Sequence, residues 1–448
     1  MSLLPWSAIE GTLETARPIR ACGKVLRAAG LLVDATLPGA RLGMSVRLMI
    51  PGHSGGVPAE VVSISDGVAS LMPLLGVPGL TTGTEVRPVI DDQTVGVGDH
   101  LIGRVIDGWG NPLDGGPPLH DRARYPLQPA PLNPMDRGLI EHPLPLGIVA
   151  VDGLLTCGEG QRVAILAGAG VGKSTLLGMM ARHTGADVTV VGLVGERSRE
   201  VKRFVDVDLG PEGRKRAVVV AATSNTAAAL RIRAARTATA VAEYFRDQGM
   251  RVLLLMDSLT RVAMAQRELG LATGEPPTTR GYPPSAFAII PQLLERAGMG
   301  VGVGSITGFY TALLEGDDLG DPIGDAIRAT TDGHVLLSRR LAERGHFPAI
   351  DVLGSVSRVM PEVVTPDHRD AAAAVRRCLA DLREVEELLA LGAYERGSVV
   401  RFDRALSFAD EILTALRQPA EEPRDFTQSC ARVAAIGRKI IRAEEARR

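Results

Sequence analysis

A glycine-rich turn between an apolar strand and a helix carries the clearest chemistry in the sequence. Residues 162–175 have the sequence RVAILAGAGVGKST. Glycines let backbone N–H groups curl around phosphate oxygens, and the start of the next helix adds a favourable dipole. Lys173 would neutralise the β- and γ-phosphates, and the Ser174 hydroxyl could bind Mg²⁺. The pattern predicts an ATP phosphate site made of Gly168, Ala169, Gly170, Val171, Gly172, Lys173, Ser174 and Thr175.

This motif departs from the usual G-x-x-x-x-G-K-[ST] pattern at its first position, which is Ala167. That position closes the strand and does not approach the phosphates, so a methyl group there is compatible with binding. A plain glycine-rich turn is the alternative interpretation. The position of the motif, between a buried strand and a helix, favours a P-loop.

Asp257 is the predicted metal partner of this turn. It ends the apolar run RVLLLMD, and loops gather where the carboxyl ends of parallel strands meet. The carboxylate could merely cap the following turn. In a chain that also contains a P-loop, we interpret Asp257 and Ser174 as Mg²⁺ ligands.

A second carboxylate, Glu196, follows the apolar run VTVVGLVG. A carboxylate beyond such a strand could polarise a water molecule aimed at the γ-phosphate of ATP. Taken alone, a glutamate at such a position is more often a solvated charge. Its assignment to hydrolysis therefore depends on the wider pattern described below.

Composition and sequence pattern argue against several classes of protein. The sequence contains 50 basic and 52 acidic residues and only 3% aromatic residues, which disfavours a nucleic-acid partner. It has no run of about 18 apolar residues that would span a membrane, and its first residues do not resemble a secretory signal. The four cysteines have no paired spacing and indicate reduced cytosolic thiols, with neither zinc nor disulfides: Cys22, Cys157, Cys378 and Cys430.

Residue composition and hydrophobic pattern change along the chain, and these changes predict four segments. Residues 1–95 contain short β-rich runs broken by turn residues, which indicate a small antiparallel barrel. Residues 96–147 are crowded with proline and glycine and are interpreted as a connector. Residues 148–365 alternate buried strand-like runs with helical patterns, which is typical of an α/β domain with a mostly parallel sheet. Residues 366–448 are predicted to be an α-helical domain.

Several longer motifs carry a family resemblance. The combination of AGAGVGKST, GERSRE, AEYFRDQG, MDSLTR and PAIDVLGSVSRV resembles the catalytic subunits of rotary-type ATPases. The resemblance extends from about residue 20 to about residue 420 and implies a RecA-like P-loop core. The motifs DGLLTCGEGQR, LLLMDSLTR and GEPPTTRGYPPS are similar to the type III secretion branch more than to the ATP synthase branch.

The resemblance implies roles for five residues. Glu196 matches the carboxylate that orients the attacking water, and Arg197 and Arg261 match arginines that line the γ-phosphate side of the site. Arg358 matches an arginine finger donated across the subunit boundary, the alternative being a surface salt-bridge arginine. Phe347 takes the place of an aromatic side chain that packs on the adenine, the alternative being an ordinary core phenylalanine.

The resemblance also implies a function and partners. It points to a homo-hexameric ATPase that uses ATP and Mg²⁺ to release export substrates from their chaperones and unfold them. Expected partners are other copies of the chain, stator and stalk proteins of the export apparatus, and chaperone–substrate complexes. The expected location is the cytoplasm, at the periphery of the inner membrane through the secretion apparatus. No nucleic-acid partner is expected.

Four alternative functions are weighed against this interpretation. A flagellar export ATPase is the same enzyme serving another apparatus and stays open. An RNA-translocating hexamer is expected to have an aromatic, basic N-terminal domain, but residues 20–90 contain no Phe, Trp or Tyr. A synthase catalytic subunit would carry an acidic rotor-contacting segment after Gly392, where this chain has AYERGSVVRFDRA. A non-catalytic subunit would lack the carboxylate at Glu196.

Overall fold

The structure is a computed structural model that describes residues 22–89, 93–119, 123–314, 316, 318 and 320–445. The chain divides into two compact units, Met1–Gln93 and Thr94–Arg448. Within the described residues, no helix is both long and apolar enough to cross a lipid bilayer.

The first unit contains a closed six-stranded barrel in which neighbouring strands run antiparallel, in the order β1-β2-β5-β4-β3-β6. Side chains alternate between the barrel interior and its surface, as in Val57–Ser65, because successive residues of a strand point to opposite faces. Small β-branched and aliphatic residues fill the interior. The strands are β1 (Gly23–Ala29), β2 (Leu32–Thr36), β3 (Ser45–Leu48), β4 (Val57–Ser65), β5 (Val68–Pro73) and β6 (Glu85–Pro88).

The second unit is built on a twisted sheet in the order β17-β16-β10-β15-β13-β11-β12-β8. All neighbours in this order are parallel except β17, which runs antiparallel to β16. Strand β14 pairs with β15, and β7 pairs with β9 in a separate ribbon. The strands are β7 (Thr94–Val97), β8 (Val105–Ile106), β9 (Ala123–Pro126), β10 (Arg162–Ala167), β11 (Val188–Glu196), β12 (Ala217–Thr223), β13 (Arg251–Asp257), β14 (Gly298–Met299), β15 (Ser305–Leu313), β16 (Gly333–Leu337) and β17 (Ile350–Ser357).

The central strands of this sheet are buried on both faces because helices cover them. Strand β13 is buried along nearly its whole length, as expected for its continuous run of aliphatic residues. The α-helices are α1 (Val149–Leu154), α2 (Lys173–His183), α3 (Ser198–Arg203), α4 (Gly210–Arg214), α5 (Ala228–Asp247), α6 (Leu259–Ala272), α7 (Pro284–Leu294), α8 (Pro322–Thr330), α9 (Arg339–Glu343), α10 (Met360–Val363), α11 (Pro366–Ala390), α12 (Val400–Leu416) and α13 (Phe426–Glu445). Short 3₁₀ turns occupy Asp99–Leu101, Pro134–Asp136 and Thr279–Gly281, and a π-helical segment occupies Phe204–Leu209.

The structure confirms the predicted fold class: an N-terminal barrel, an α/β core and C-terminal helices. Helices α11, α12 and α13 share one hydrophobic core with the α/β sheet and form a single compact unit with it. The Pro/Gly-rich segment 96–147 contributes β8 to the edge of the large sheet, where Val105 pairs with Val219 of β12. The predicted domain boundaries stay predictions.

Helices α11 and α13 pack closely at one glycine. A Cβ atom built on Gly437 of α13 would lie 2.4 Å from the carbonyl oxygen of Ala371 in α11. Such a separation is far inside van der Waals contact, so the two backbones can approach this closely only because Gly437 has no side chain.

We therefore expect Gly437→Ala to destabilise the second unit by about 1–3 kcal/mol, since overpacking outweighs the better helix propensity of alanine. Thermal or urea unfolding monitored by circular dichroism measures the effect. The control is Ala431→Ser on the exposed side of the same helix, expected to stay within about 0.5 kcal/mol of the parent. Equal stabilities for Gly437→Ala and the parent would contradict the packing argument.

Candidate active site

The glycine-rich turn joins the end of β10 to the start of α2, as the sequence predicts. Gly170 and Gly172 have φ values of +78° and +92°, in the left-handed region that glycine adopts without strain. Helix α2 begins at Lys173, with the Leu176 N–H donating to the carbonyl oxygen of Gly172 at 3.0 Å. The turn therefore presents its backbone and a helix N-terminus at the carboxyl edge of the sheet.

The Lys173 ammonium lies between two carboxylates at this edge. It contacts Asp257 Oδ1 directly and lies 3.5 Å from Glu196 Oε1. Burial disfavours the charged lysine, but the two carboxylates outweigh that cost and raise the pKa of Lys173. The structure thus brings together three of the predicted site residues from the ends of β10, β11 and β13.

Asp257 is nearly inaccessible, with 3% of its side chain exposed. Its Oδ1 atom also accepts a hydrogen bond from the hydroxyl of Thr311, a residue of β15, at 2.7 Å. Within the described residues its Oδ2 atom receives no hydrogen bond, so it is free to face a cation. Ser174 is exposed at the first turn of α2. A carboxylate and a hydroxyl beside a phosphate cradle fit Mg²⁺, which takes its remaining ligands from phosphate and water.

Glu196 is placed by an irregularity at the end of β11. The pairing of β11 with β12 shifts between Val194 and Glu196, and Gly195 has a φ of +75°. The Arg261 side chain packs against Gly195. A Cβ atom at position 195 would lie only 2.7 Å from Arg261 Cβ, so this close packing requires glycine. Arg261 is half-buried, and its Nε has no hydrogen-bond partner among the described residues.

Burial raises the pKa of Glu196 to about 7, and the nearby Asp257 and Glu200 carboxylates add to this effect while Lys173 opposes it. Glu200 lies on α3, one turn after Glu196, and its side chain is in hydrogen-bonding contact with Glu196. A carboxylate with such a pKa changes its protonation near neutral pH, which suits a group that handles a proton or a water molecule.

The remaining predicted arginines occupy different places. Arg197 is exposed immediately before α3, beside Glu196. Arg358 is exposed at the opposite, amino edge of the sheet, because β17 runs antiparallel to its neighbour. The Arg358 N–H donates to the carbonyl oxygen of Asp332 at 3.0 Å, and the Asp332 carboxylate accepts from the N–H of Arg162, the first residue of β10.

This arrangement separates Arg358 from the P-loop of its own chain. The six residues of β10 lie between Arg162 and the turn, a span of about 20 Å at about 3.3 Å per residue. An arginine side chain is much shorter than that. Within one chain, Arg358 is therefore out of reach of Lys173 and Glu196.

Phe347 lies beside Gly172 of the P-loop. Its ring carbons Cδ1 and Cε1 are 3.6 Å from the position that a Cβ on Gly172 would take, and the residue is 46% exposed. Its carbonyl oxygen accepts a hydrogen bond from the Gln418 N–H at 3.0 Å. The Gln418 amide also bonds Gly147 and Val149, so this residue ties α12 and α1 to the segment that carries Phe347.

Sequence reasoning missed two residues of this region, Thr311 and Gln418. Thr311 belongs to the strand SITGFYTAL, which has the pattern of any buried strand. Gln418 follows α12 in a segment without a recognisable motif. The signal that could have found Thr311 is a hydroxyl side chain near the carboxyl end of a strand otherwise made of apolar and small residues.

A P-loop between a parallel strand and a helix, with a carboxylate at the end of each of two neighbouring strands, defines the P-loop nucleotide-hydrolysing class. Comparison with known families narrows this class. A family model for the ATP synthase alpha/beta family, nucleotide-binding domain, matches residues 147–357, and one for the T3SS EscN ATPase C-terminal domain matches residues 364–435. The chain belongs to the ATP synthase alpha/beta family, in the branch of type III secretion and flagellum-specific ATPases.

Individual relatives match over nearly their full length. The chain is 47% identical to the flagellum-specific ATP synthase of Bacillus subtilis (strain 168), covering 92% of the chain and 94% of the relative. It is 49% identical to the type 3 secretion system ATPase of Sinorhizobium fredii (strain NBRC 101917 / NGR234), covering 91% and 90%. The solved structure of the assembled ATPase EscN of enteropathogenic E. coli, in complex with its central stalk EscO, superimposes with a TM-score of 0.85 at 41% identity, covering 93% of the chain and all of that chain.

The raised pKa of Glu196 predicts how the ATPase rate depends on pH. If its carboxylate orients the attacking water, kcat/KM should fall about tenfold per pH unit well below about pH 7 and level off above it. A steady-state pH series measures this profile. The rate is lost as pH falls because protonation removes the acceptor for the water proton.

Glu200→Gln is the matched variant, since it removes a neighbouring negative charge that helps to raise the pKa of Glu196. The midpoint of the profile should move to lower pH in this variant. Titration of ATP itself is the same for both proteins and cannot produce such a difference. An unmoved midpoint would mean that Glu196 does not set the profile.

Proposed function

We propose that this chain is a homo-hexameric motor ATPase that energises protein export through a type III secretion apparatus. The observation that carries the proposal is the position of Lys173, held at the P-loop between Asp257 and Glu196. This constellation supplies groups for binding phosphates, for holding a metal and for activating water. Near full-length similarity to secretion and flagellar ATPases supports the export role.

In the proposed reaction, ATP and water give ADP and phosphate. The P-loop backbone and Lys173 hold the phosphates, while Phe347 packs on the adenine. Mg²⁺ held by Ser174 and Asp257 would offset negative charge on the phosphate oxygens. Glu196 orients the attacking water and accepts its proton, and the Arg197 and Arg261 guanidiniums stabilise charge on the transferring phosphoryl group.

Arg358 acts in the site of a neighbouring copy. It lies at the amino edge of the sheet, whereas the P-loop lies at the carboxyl edge, so one copy presents its finger to the site of the next. Each chain carries both a finger and a site, so a ring of identical subunits needs no second kind of chain. The assembled state of the related EscN supports this arrangement.

The proposed partners follow from the export role. A stalk protein is supported by the complex of the related EscN with its central stalk EscO. Stator proteins and chaperone–substrate complexes complete the set, with the work being chaperone release and substrate unfolding. The proposed location is cytoplasmic, at the periphery of the inner membrane through the secretion apparatus.

A flagellar export ATPase is the second candidate, favoured by the 47% identity to the flagellum-specific ATP synthase of Bacillus subtilis. Affinity purification of the tagged chain from its native cell, followed by mass spectrometry, distinguishes the two. Injectisome components in the eluate would support the main proposal, and flagellar components the alternative. Recovery of synthase rotor components instead would overturn both.

Two substitutions in the site should separate binding from turnover. Lys173→Ala should abolish hydrolysis and weaken ATP binding, because it removes the ammonium that neutralises the phosphates. Glu196→Gln should keep ATP bound and stop turnover, because an amide cannot accept the proton of the water. Nucleotide titration and phosphate-release rates check both. Near-normal turnover by Glu196→Gln would remove Glu196 from the proposed mechanism.

Mixing two inactive variants tests the shared site. Lys173→Ala and Arg358→Ala should each be nearly inactive alone, since a finger of this kind is worth about 10³-fold or more in rate. Mixed subunits should recover activity, because some interfaces then pair an intact P-loop with an intact Arg358. The measurement is phosphate release across a mixing series at fixed total protein.

The control for mixing is a pair of variants that both alter the same side of the site, Lys173→Ala with Glu196→Gln, which cannot complement across an interface. Specific activity of the parent should also rise with protein concentration as rings assemble. Full activity in a chain shown to be monomeric, with no rescue on mixing, would refute the shared-site arrangement.

A further inference from the structure

Thr311 lies near the carboxyl end of β15, the strand that separates β10 from β13 in the sheet. Its side chain is fully buried, with 0% exposure. The hydroxyl oxygen is 2.7 Å from Asp257 Oδ1 and 3.4 Å from the carbonyl oxygen of Met256. A hydroxyl has one proton to donate, and the shorter contact is the one with the carboxylate.

We propose that Thr311 is a positioning residue for the metal, acting by fixing the carboxylate of Asp257 so that its Oδ2 faces Mg²⁺. This inference rests on the proposed function, in which Asp257 is the metal-holding carboxylate. It adds a residue that neither the P-loop motif nor the acidic residues at the strand ends indicate.

The physical reason is rotational freedom. Rotation of an aspartate carboxylate about its last side-chain bond meets only a broad, weak preference, so the burial of Asp257 does not by itself fix the direction of its oxygens. In the structure two donors hold Oδ1, the Lys173 ammonium and the Thr311 hydroxyl. When phosphates enter, Lys173 turns toward them. Among the described residues, Thr311 is then the one whose hydroxyl still donates a hydrogen bond to Asp257 Oδ1.

The pairing of β15 with its neighbours fixes the position of the Thr311 hydroxyl. Leu313, two residues further on, donates its N–H to the hydroxyl oxygen of Thr260 at 2.9 Å, and β15 pairs with both β10 and β13. The backbone on either side of Thr311 is therefore fixed against both strands that carry the site. A hydrogen bond from so fixed a donor orients its acceptor, as outer-shell groups do for metal ligands generally.

Thr307 on the same strand provides a matched control. It is also buried, with 1% exposure, and its hydroxyl oxygen accepts from the Gly160 N–H at 2.8 Å. This contact lies toward the amino edge, away from the site. A hydroxyl that only stabilises the strand should behave like Thr307 when it is replaced by valine.

The experiment measures binding of a fluorescent ADP analogue to the full-length chain, with and without Mg²⁺, for the parent and four variants. Thr311→Val should leave affinity without Mg²⁺ unchanged and weaken the apparent affinity for Mg²⁺ about tenfold or more. Thr311→Ser should restore it, because serine keeps the hydroxyl. Thr307→Val should lower the thermal unfolding midpoint without changing the Mg²⁺ dependence, and Asp257→Asn should abolish that dependence.

The outcomes separate this inference from the proposed function. If Thr311→Val binds with the Mg²⁺ dependence of the parent while Asp257→Asn loses that dependence, the role of Thr311 is overturned and the assignment of Asp257 to the metal stays intact. Retained dependence in Asp257→Asn overturns both. Equal weakening with and without Mg²⁺ in Thr311→Val, or no rescue by Thr311→Ser, shows a structural role and also overturns the inference.

Discussion

The buried ion pair between Lys173 and Asp257 is the contact on which the site depends. The two residues are 84 positions apart in the sequence, and both side chains are largely withdrawn from water. Charges in such a place need partners, because an unpaired buried charge costs several kcal/mol. The pair forms because β10 and β13 run parallel with β15 between them, so that their carboxyl ends reach the same edge. The order of the strands in the sheet thus determines which charged side chains meet at this site.

The charges in direct contact with Lys173 do not balance. One ammonium, Lys173, faces the carboxylates of Asp257 and Glu196. Part of this imbalance is relieved by the raised pKa of Glu196, which lets that carboxyl hold a proton near neutrality. Phosphates bring more negative charge into the same volume. Once phosphates enter, a site of this composition needs further positive charge, which a divalent cation and the nearby Arg197 and Arg261 guanidiniums would supply.

Much of the active site and of the fold could be predicted from the sequence, because the sequence motifs that indicate them are contiguous. The P-loop is contiguous, and the runs ending at Asp257 and Glu196 identify themselves as buried parallel strands. The rule that ligands gather at carboxyl ends then places both carboxylates near Lys173 without a structure. A small antiparallel barrel is predicted equally from short β-rich runs between turn residues, but the number of its strands, six, is not.

What the sequence could not predict is set by pairing between distant segments. Strand β8 is two residues long in a Pro/Gly-rich stretch, and only its pairing with β12 makes it part of the sheet. The hydroxyl of Thr311 finds Asp257 because β15 adjoins β13, and strand order is not visible in a run of apolar residues. Gln418 likewise acts through contacts with Gly147 and Phe347, more than 70 positions away.

The direction of one strand has the widest consequence for assembly. Because β17 runs antiparallel to β16, its carboxyl end, and Arg358 after it, lie at the amino edge of a sheet whose P-loop lies at the other edge. In the proposed shared site, an interface that joins Arg358 of one copy to the P-loop of the next must therefore pair two different surfaces of the same protein. Such a head-to-tail contact either closes into a ring or grows into a helical filament, depending on the rotation between neighbours. In the proposed arrangement, a closed ring gives every site a finger and leaves none unpaired, so complete use of Arg358 as a finger would require closure.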